Sequence, residues 1–321
     1  MIHFNPQDLP VPQVHQYLLG GVAPRPIALV STMSPDGWVN LSPFSFFNAF
    51  GANPPTVAFS PARRGRDNTV KDTYNNIVAT RECVIQAVTH SMVQQVSLAS
   101  TEYPTGTNEF TKSGLTPILS DLVKPPRVKE SPFQMECRLQ QMVELGGKAG
   151  SGNLAICEVV RFHVAEDIIE NGIIQPDRID LVARMSGDYY CRANGDAVFV
   201  VRKPVKTKGI GYDQLPGFIR HSVLLSANNL AQLANVEQLP TVDEANAFLA
   251  QSPATATDPG AFERYERLGN YRQMLQAAWA EAQQGNAEAA TLMVRAARVA
   301  LAADDVAFAW MALLASQTPL P

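Results

Sequence analysis

The pattern of apolar and polar positions changes character after Lys203-Pro204. Before that point, short apolar and β-branched runs alternate with turn residues. Pro26 to Met33 (PIALVSTM) is one such run. Ser34-Pro35-Asp36-Gly37 offers a turn with proline second and glycine fourth, and Trp38 to Ser42 returns, so Ile27–Leu41 reads as a hairpin. Thr56 to Ser60 forms a third strand after the breaker Asn53-Pro54-Pro55. The spacing of Val70, Tyr74, Ile77 and Val78 predicts a helix over Thr69 to Thr80. A strand from Cys83 to Val88 and a short helix from Met92 to Ser100 follow.

Thr101 to Pro132 is polar and rich in proline and glycine, the pattern of long surface loops. Two longer strands, Phe133 to Leu145 and Asn153 to Asp167, flank the glycine-rich Gly146 to Gly152, and a shorter pair is expected near Val201. Many strands, few helices and short returns indicate an antiparallel barrel rather than a doubly wound sheet. From Ser226 onward Ala, Leu and Gln dominate, and Tyr265, Leu268, Tyr271, Leu275 and Trp279 recur at helical spacing. Asn286 and Asp304 or Asp305 are candidate helix N-caps. Gln251 to Gly260 (QSPATATDPG) reads as a linker. The expected fold class is mainly β with α: a barrel over residues 1–204, then a helical extension over 205–321, with roughly three to five helices of ordinary length.

Composition narrows the functions available. With 321 residues, 46% of them hydrophobic, and a net charge of -4, the chain can bury a sizeable core. It lacks the concentrated basic surface that nucleic acid or an anionic membrane requires. No apolar run reaches the ~18 residues of a membrane span, and MIHFNPQDLP has no apolar signal-peptide core. Cys83, Cys137, Cys157 and Cys191 show no ligand spacing and read as reduced thiols of a cytoplasmic protein. His3, His15, His90, His163 and His221 are scattered, so no metal site is expected. GGKAGSGN lacks the hydroxyl residue that a P-loop needs after its lysine, and it lacks a Gly-x-Gly-x-x-Gly fingerprint, leaving a hairpin loop. No Gly-x-Ser-x-Gly elbow supports a serine hydrolase.

Two stretches carry candidate chemistry. Asn40 to Asn48 (NLSPFSFFN) interleaves polar and aromatic residues at a strand end, where a backbone that leaves its sheet would expose amides. A flavin ring needs apolar groups over its faces and backbone donors and acceptors at its pyrimidine edge. Ser42 and Ser45 could bond the ring or ribityl chain, and Phe44, Phe46 or Phe47 could wall it. A core strand with a β-bulge accounts for the same residues. Ser60 to Thr73 (SPARRGRDNTVKDT) combines a strand end, the cations Arg63, Arg64 and Arg66, and a helix start near Asp67 to Thr69, with Lys71 and Thr73 in its first turns. These are the parts of a phosphate site, or of a solvated basic turn before a capped helix. Taken together, the two stretches describe an FMN-sized arrangement.

In order and spacing the chain resembles the flavin-reductase-like family of FMN-binding split barrels, which includes flavoredoxin-type proteins. The resemblance rests on PRPIALVST (Pro24 to Thr32), Asp36-Gly37, NLSPFSFF (Asn40 to Phe47), NPPTVAFS (Asn53 to Ser60) and KDTYNNI (Lys71 to Ile77). EVVRFHV (Glu158 to Val164) and RIDLVARMSGDYYCR (Arg178 to Arg192) extend it over residues 10 to 205. It implies a split β-barrel, FMN as ligand with NADH or NADPH as transient co-substrate, and a homodimer with flavin near the subunit interface. It maps ring contacts onto Asn40, Ser42, Phe44, Ser45 and Phe46, and phosphate contacts onto Ser60, Arg66, Lys71, Asp72 and Thr73. His163 matches a near-flavin histidine and is the implied catalytic residue. Ser186-Gly187 departs from the family's Gly-Gly, and the extension after Pro204 lies outside the match.

The implied activity is NAD(P)H-dependent flavin reduction by hydride transfer to flavin N5, a reaction of positioning that needs no obligatory side-chain acid or base. A structural role for His163, which shares a strand face with Arg161, is the other reading. Arg25 and Arg184, beside strand ends, could pair with phosphate or carboxylate, or with surface or interface partners. Two rival functions stay open: an FMN-carrying electron carrier with a protein electron acceptor, and a non-enzymatic binding module whose helical tail recruits a partner.

Overall fold

The computed structural model describes residues 1–201, 208–251 and 260–317. The chain divides into two compact units, Met1–Val200 and Val201–Pro321. The boundary expected at Pro204 and most of the linker expected at 251–260 lie outside the described residues.

In the first unit, helix α1 (Val11–Gly21) leads into strands β1 (Arg25–Pro26), β2 (Ala28–Met33), β3 (Val39–Phe44), β4 (Phe47–Ala52) and β5 (Pro55–Phe59). Helix α2 (Asp72–Thr80) precedes β6 (Glu82–Gln86), and α3 (Val93–Ala99) and α4 (Glu109–Ser113) precede the short pair β7 (Pro117–Ile118) and β8 (Arg127–Val128). The long strands β9 (Phe133–Glu144) and β10 (Asn153–Val164) come next. The unit ends with β11 (Ile169–Glu170), β12 (Ile173–Ile174), α5 (Pro176–Ile179), β13 (Val182–Arg184) and β14 (Tyr190–Arg192).

Seven strands form one antiparallel sheet in the order β3-β2-β6-β9-β10-β5-β4. Its two edge strands, β3 and β4, are joined by Ser45 and Phe46 alone. Edges tied by two residues must lie side by side, so the sheet curls into a barrel that is split at this corner. Side-chain alternation builds the interior. Ala28, Val30, Phe44 and Phe59 form one core with Ile77 of α2, while Leu29 and Leu41 face the other way onto Met92, Val96 and Phe110. The β2–β3 turn closes as its residues demand: Gly37 N donates to Ser34 O at 3.0 Å, and Gly37 has φ +87°.

Several local expectations are corrected. The 101–132 stretch is not surface loop: it contains α4, β7 and β8 and buries Phe110, Leu115, Val123 and Val128. Helix α2 starts at Asp72 rather than Thr69, because Asp67 Oδ1 accepts from Thr69 N and Asn68 takes a left-handed φ of 59°. Its buried face is Thr73, Asn76 and Ile77, with Val78 exposed. The segment after Phe46 returns as β4, so the backbone leaves the sheet only at the corner. The last strand pair lies at 182–192 rather than near Val201.

The second unit contains, among its described residues, α6 (Gly217–Arg220), α7 (Ala227–Leu233), α8 (Val242–Ala250), α9 (Ala261–Arg267), α10 (Tyr271–Gln283), α11 (Ala289–Ala302) and α12 (Val306–Ala315). That is more helices than expected, because Gly269 (φ +69°) and the N-cap Asn270 break the run from Tyr265 to Trp279 into two. Asp305 caps α12 by accepting from Phe308 N at 3.1 Å, whereas Asp304 is left-handed and Asn286 lies before the N-cap of α11. Trp310, fully buried in this unit's own core, donates from Nε1 to Leu233 O. No helix among the described residues is long and apolar enough to cross a membrane.

Candidate functional site

The basic segment after β5 is built by its own arginines. Arg64 Nη1 donates to Val70 O at 2.7 Å and to Thr69 Oγ1 at 3.0 Å, and Arg63 Nη1 donates to Asn68 O at 3.1 Å, folding 63–70 into a tight loop. The glycine loop between β9 and β10 completes it. Arg63 N donates to Ser151 O at 2.9 Å, Asn68 Nδ2 to Gly147 O at 2.9 Å, and Asn153 Nδ2 to Pro61 O at 3.2 Å. The loop set aside as a mere hairpin is therefore a wall of this segment.

Ser60 Oγ, Arg63 Nε, Arg64 Nε and Asn68 Oδ1 of this segment, and Asn153 Oδ1 at the start of β10, are buried there without a hydrogen-bond partner among the described residues, Arg64 Nε lying 3.5 Å from Glu102 Oε1. An unpaired buried polar group costs about 1–3 kcal/mol, so the hydroxyl and guanidinium donors and the two amide oxygens gathered around this segment fit a ligand that offers both an anion and hydroxyl groups. Asn68 falls inside the expected Ser60 to Thr73 stretch without having been singled out, and Asn153 was not foreseen. The only signal in the sequence was a polar residue opening the apolar strand NLAICEVV.

The remaining expected residues divide. Phe44 is buried in the barrel, with its ring centre 5.2 Å from that of Phe59, rather than walling an open site. Lys71, the N-cap of α2, stands over its face. Burial, and then the charge of Arg64, lowers the Lys71 pKa. Ser42 is half-buried and shares a strand face with Phe44. Phe46 O accepts from Ser60 N at 2.9 Å, while the Phe46 ring is exposed and meets His15 edge-on. Ser45 Oγ accepts from Arg25 Nε at 3.3 Å. Asp72 opens α2, and its Oδ1 accepts from Thr105 Oγ1 at 3.3 Å.

Asn40 and Thr73 point into the fold. Asn40 Oδ1 accepts from Thr73 Oγ1 at 2.7 Å and Asn40 Nδ2 donates to Glu109 Oε1 at 3.0 Å, so both side chains serve the β3–α2 junction. Burial pushes the Glu109 carboxyl up. Arg66 is 68% exposed and paired with Glu102 at 2.8 Å and Asp67 at 3.1 Å.

His163 lies elsewhere. Eight residues along β10 separate it from Ala155, the partner of Phe59, which is roughly 25 Å at ~3.3 Å per residue. Its Nε2 is 2.7 Å from Oε1 of the fully buried Glu136. Glu136 also accepts from the backbone N–H groups of Asp121 (2.8 Å), Leu122 (2.6 Å) and Val123 (3.1 Å). Asp121, Glu136 and His163 are close enough to hold an ion. Yet four contacts already occupy the Glu136 carboxylate and Arg161 holds Asp121, so the cluster is a hydrogen-bonded latch. Within one chain His163 and the basic segment are not brought together.

An apolar cavity of about 680 Å³ opens beside β4 and β5, lined by Phe47, Val57, Met135 and Phe162 among others. Its residues include none from Ser60 to Thr73. Lacking charged lining residues, it does not suit a phosphate.

Residues 20–180 match the family described as flavin reductase like domain. The chain belongs to this family. A protein of Aquifex aeolicus is 35% identical over 184 residues, 57% of this chain and 91% of its own length. Nitrilotriacetate monooxygenase component B from Bacillus cereus superposes with a TM-score of 0.59 at 32% identity, covering 63% of this chain and 98% of its own. A Shewanella frigidimarina structure with a split barrel domain superposes at 0.54 with 26% identity, covering 63% and 100%. The flavin-reductase-like domain is thus a split barrel within the first unit, and the second unit lies beyond the family match.

Proposed function

We propose that this flavin-reductase-like chain is an FMN-binding oxidoreductase that reduces flavin with NADH or NADPH by hydride transfer. The observation that carries the reading is the set of unpartnered buried atoms on and beside the basic segment, next to Lys71, whose ammonium has no carboxylate within ion-pair distance among the described residues. Bound FMN supplies a hydride acceptor at N5. Ser60 and Arg63 would donate to its phosphate, with Lys71 adding charge, and Asn68 and Asn153 would accept from hydroxyl groups of the ribityl chain. Ser45 and Phe46, at the split corner, would meet the ring. No side chain is asked to transfer a proton, so catalysis rests on holding the two rings together.

The assembly belongs to the same reading: a cytoplasmic homodimer. Among the described residues strand β4 is an edge strand paired with β5 alone, and it carries Phe50, 67% exposed. Such an edge is suited to cover by a second copy.

The test is the absorption of the purified protein between roughly 350 and 500 nm, where flavin bands are expected, followed by NADH and NADPH consumption with added FMN. Flavin bands with turnover are expected. Stoichiometric flavin without turnover points instead to an electron carrier, and failure to bind flavin to a non-enzymatic binding module.

A further inference from the structure

A second, polar cleft of about 550 Å³ lies between α3 and the β13–β14 pair and shares no residue with the basic segment. Its volume falls in the range of small-molecule sites, about 300–1,000 Å³. On its floor, Arg184 pairs in register with Arg25 on one side and Tyr190 on the other, so the three side chains share one sheet face. Arg25 is buried, and its partners among the described residues are all neutral: Leu19 O, Val22 O, Met185 O and Ser45 Oγ. Arg184 packs its guanidinium over the Tyr190 ring at 4.5 Å. Among the described residues neither arginine has a carboxylate within ion-pair distance. Burial, and then the charge of Arg184, lowers the Arg25 pKa, as expected of two adjacent cations without a counterion.

The other charges of the cleft are differently placed. Arg192 is committed to Asp180, with bonds of 2.6 and 2.9 Å, and His90 sits beside that pair. Asp188 is exposed, on the turn between β13 and β14. Gln94 and Ser97 of α3 line the opposite wall, and among the described residues their side chains take no hydrogen bond.

We propose that this cleft binds a small molecule carrying a phosphate or a carboxylate together with hydroxyl or amine hydrogens, anchored by Arg184. The tyrosine ring holds the guanidinium fork in place, so little ordering remains to be done when the anion arrives. Asp188 disfavours a bare anion and favours one that also carries donor hydrogens. Gln94 and Ser97 add neutral polar contacts. The proposal does not depend on the flavin reading.

The experiment uses the full chain with saturating FMN and, separately, without it, and follows four probes by calorimetric titration. AMP against adenosine tests the phosphate source, and salicylate against salicylamide tests the carboxylate source. At least one anion should bind tenfold or more tightly than its neutral twin, whether or not FMN is present. Arg184→Gln should abolish that preference and Arg184→Lys should keep part of it. Ser97→Trp, which fills the cleft from an exposed position on α3, should abolish binding with FMN affinity unchanged, and it serves as the test should the arginine variants fail to fold. Equal binding of each pair, no binding of any probe, or a preference that survives Ser97→Trp would overturn the proposal. None of these outcomes depends on whether FMN binds, so the two readings fail separately.

Discussion

Lys71 Nζ stands 5.2 Å from the centre of the Phe44 ring, and among the described residues no carboxylate lies within ion-pair distance of it. A half-buried ammonium held against an aromatic face gains from any anion that reaches it. Lys71→Ala should therefore weaken FMN at least tenfold while riboflavin changes little, since a charge-assisted contact contributes about 1.5–3 kcal/mol. Adding Arg66→Ala should add little, because Arg66 is exposed and already paired with Asp67 and Glu102. Fluorescence titration with both flavins measures the difference, and equal losses would remove the phosphate from this segment.

Removing the latch should cost stability rather than cofactor. His163→Ala leaves the fully buried Glu136 without its side-chain partner, a loss of about 1–3 kcal/mol. FMN affinity should stay the same. Urea unfolding and flavin titration together decide the matter, and lowered turnover at unchanged stability would restore a catalytic role to His163.

Glu136 also sets an acid limb. Burial opposes its ionisation, yet the N–H of Asp121, His163 and the N–H of Leu122 bring its pKa below the usual carboxylate range. A carboxyl lowered on folding stabilises the fold fully above its unfolded value, about 4.3. That contribution is lost as pH falls through the folded value. Unfolding midpoints between about pH 3 and 7 should fall on the acid side, and Glu136→Gln should start lower and show a flatter slope. An unchanged slope would assign the limb to another carboxylate.

A chain ending at Pro204 should fold and keep flavin. The barrel's two apolar clusters draw only on residues before Val201, and the helical unit has a cluster of its own. The flavin spectrum and the molecular mass of residues 1–204 check this. Soluble protein without flavin would mean that the helical unit helps to form the site.

Local chemistry made much of this protein legible. Proline and glycine in Ser34-Pro35-Asp36-Gly37 define the β2–β3 turn, alternation marks β9 and β10, and the arginines after Ser60 mark a basic loop, because each depends on neighbours a few residues away. The family resemblance was legible for the same reason, being an order of short motifs.

Tertiary structure alone decided where polar groups went. Nothing in the sequence singles out Glu109 or Glu136, yet both are buried and accept from backbone N–H groups distant in sequence: Leu41 for one, Asp121 to Val123 for the other. Asn40 and Thr73, 33 positions apart, bond each other only because α2 lies against β3. The curl that joins β3 to β4 at Ser45 and Phe46 set the split corner, and the length of β10 put His163 far from the basic segment. Spacing along the chain predicts which residues share a strand or a helix face. Which faces then meet, and which buried charge finds a partner, depends on the closed barrel as a whole.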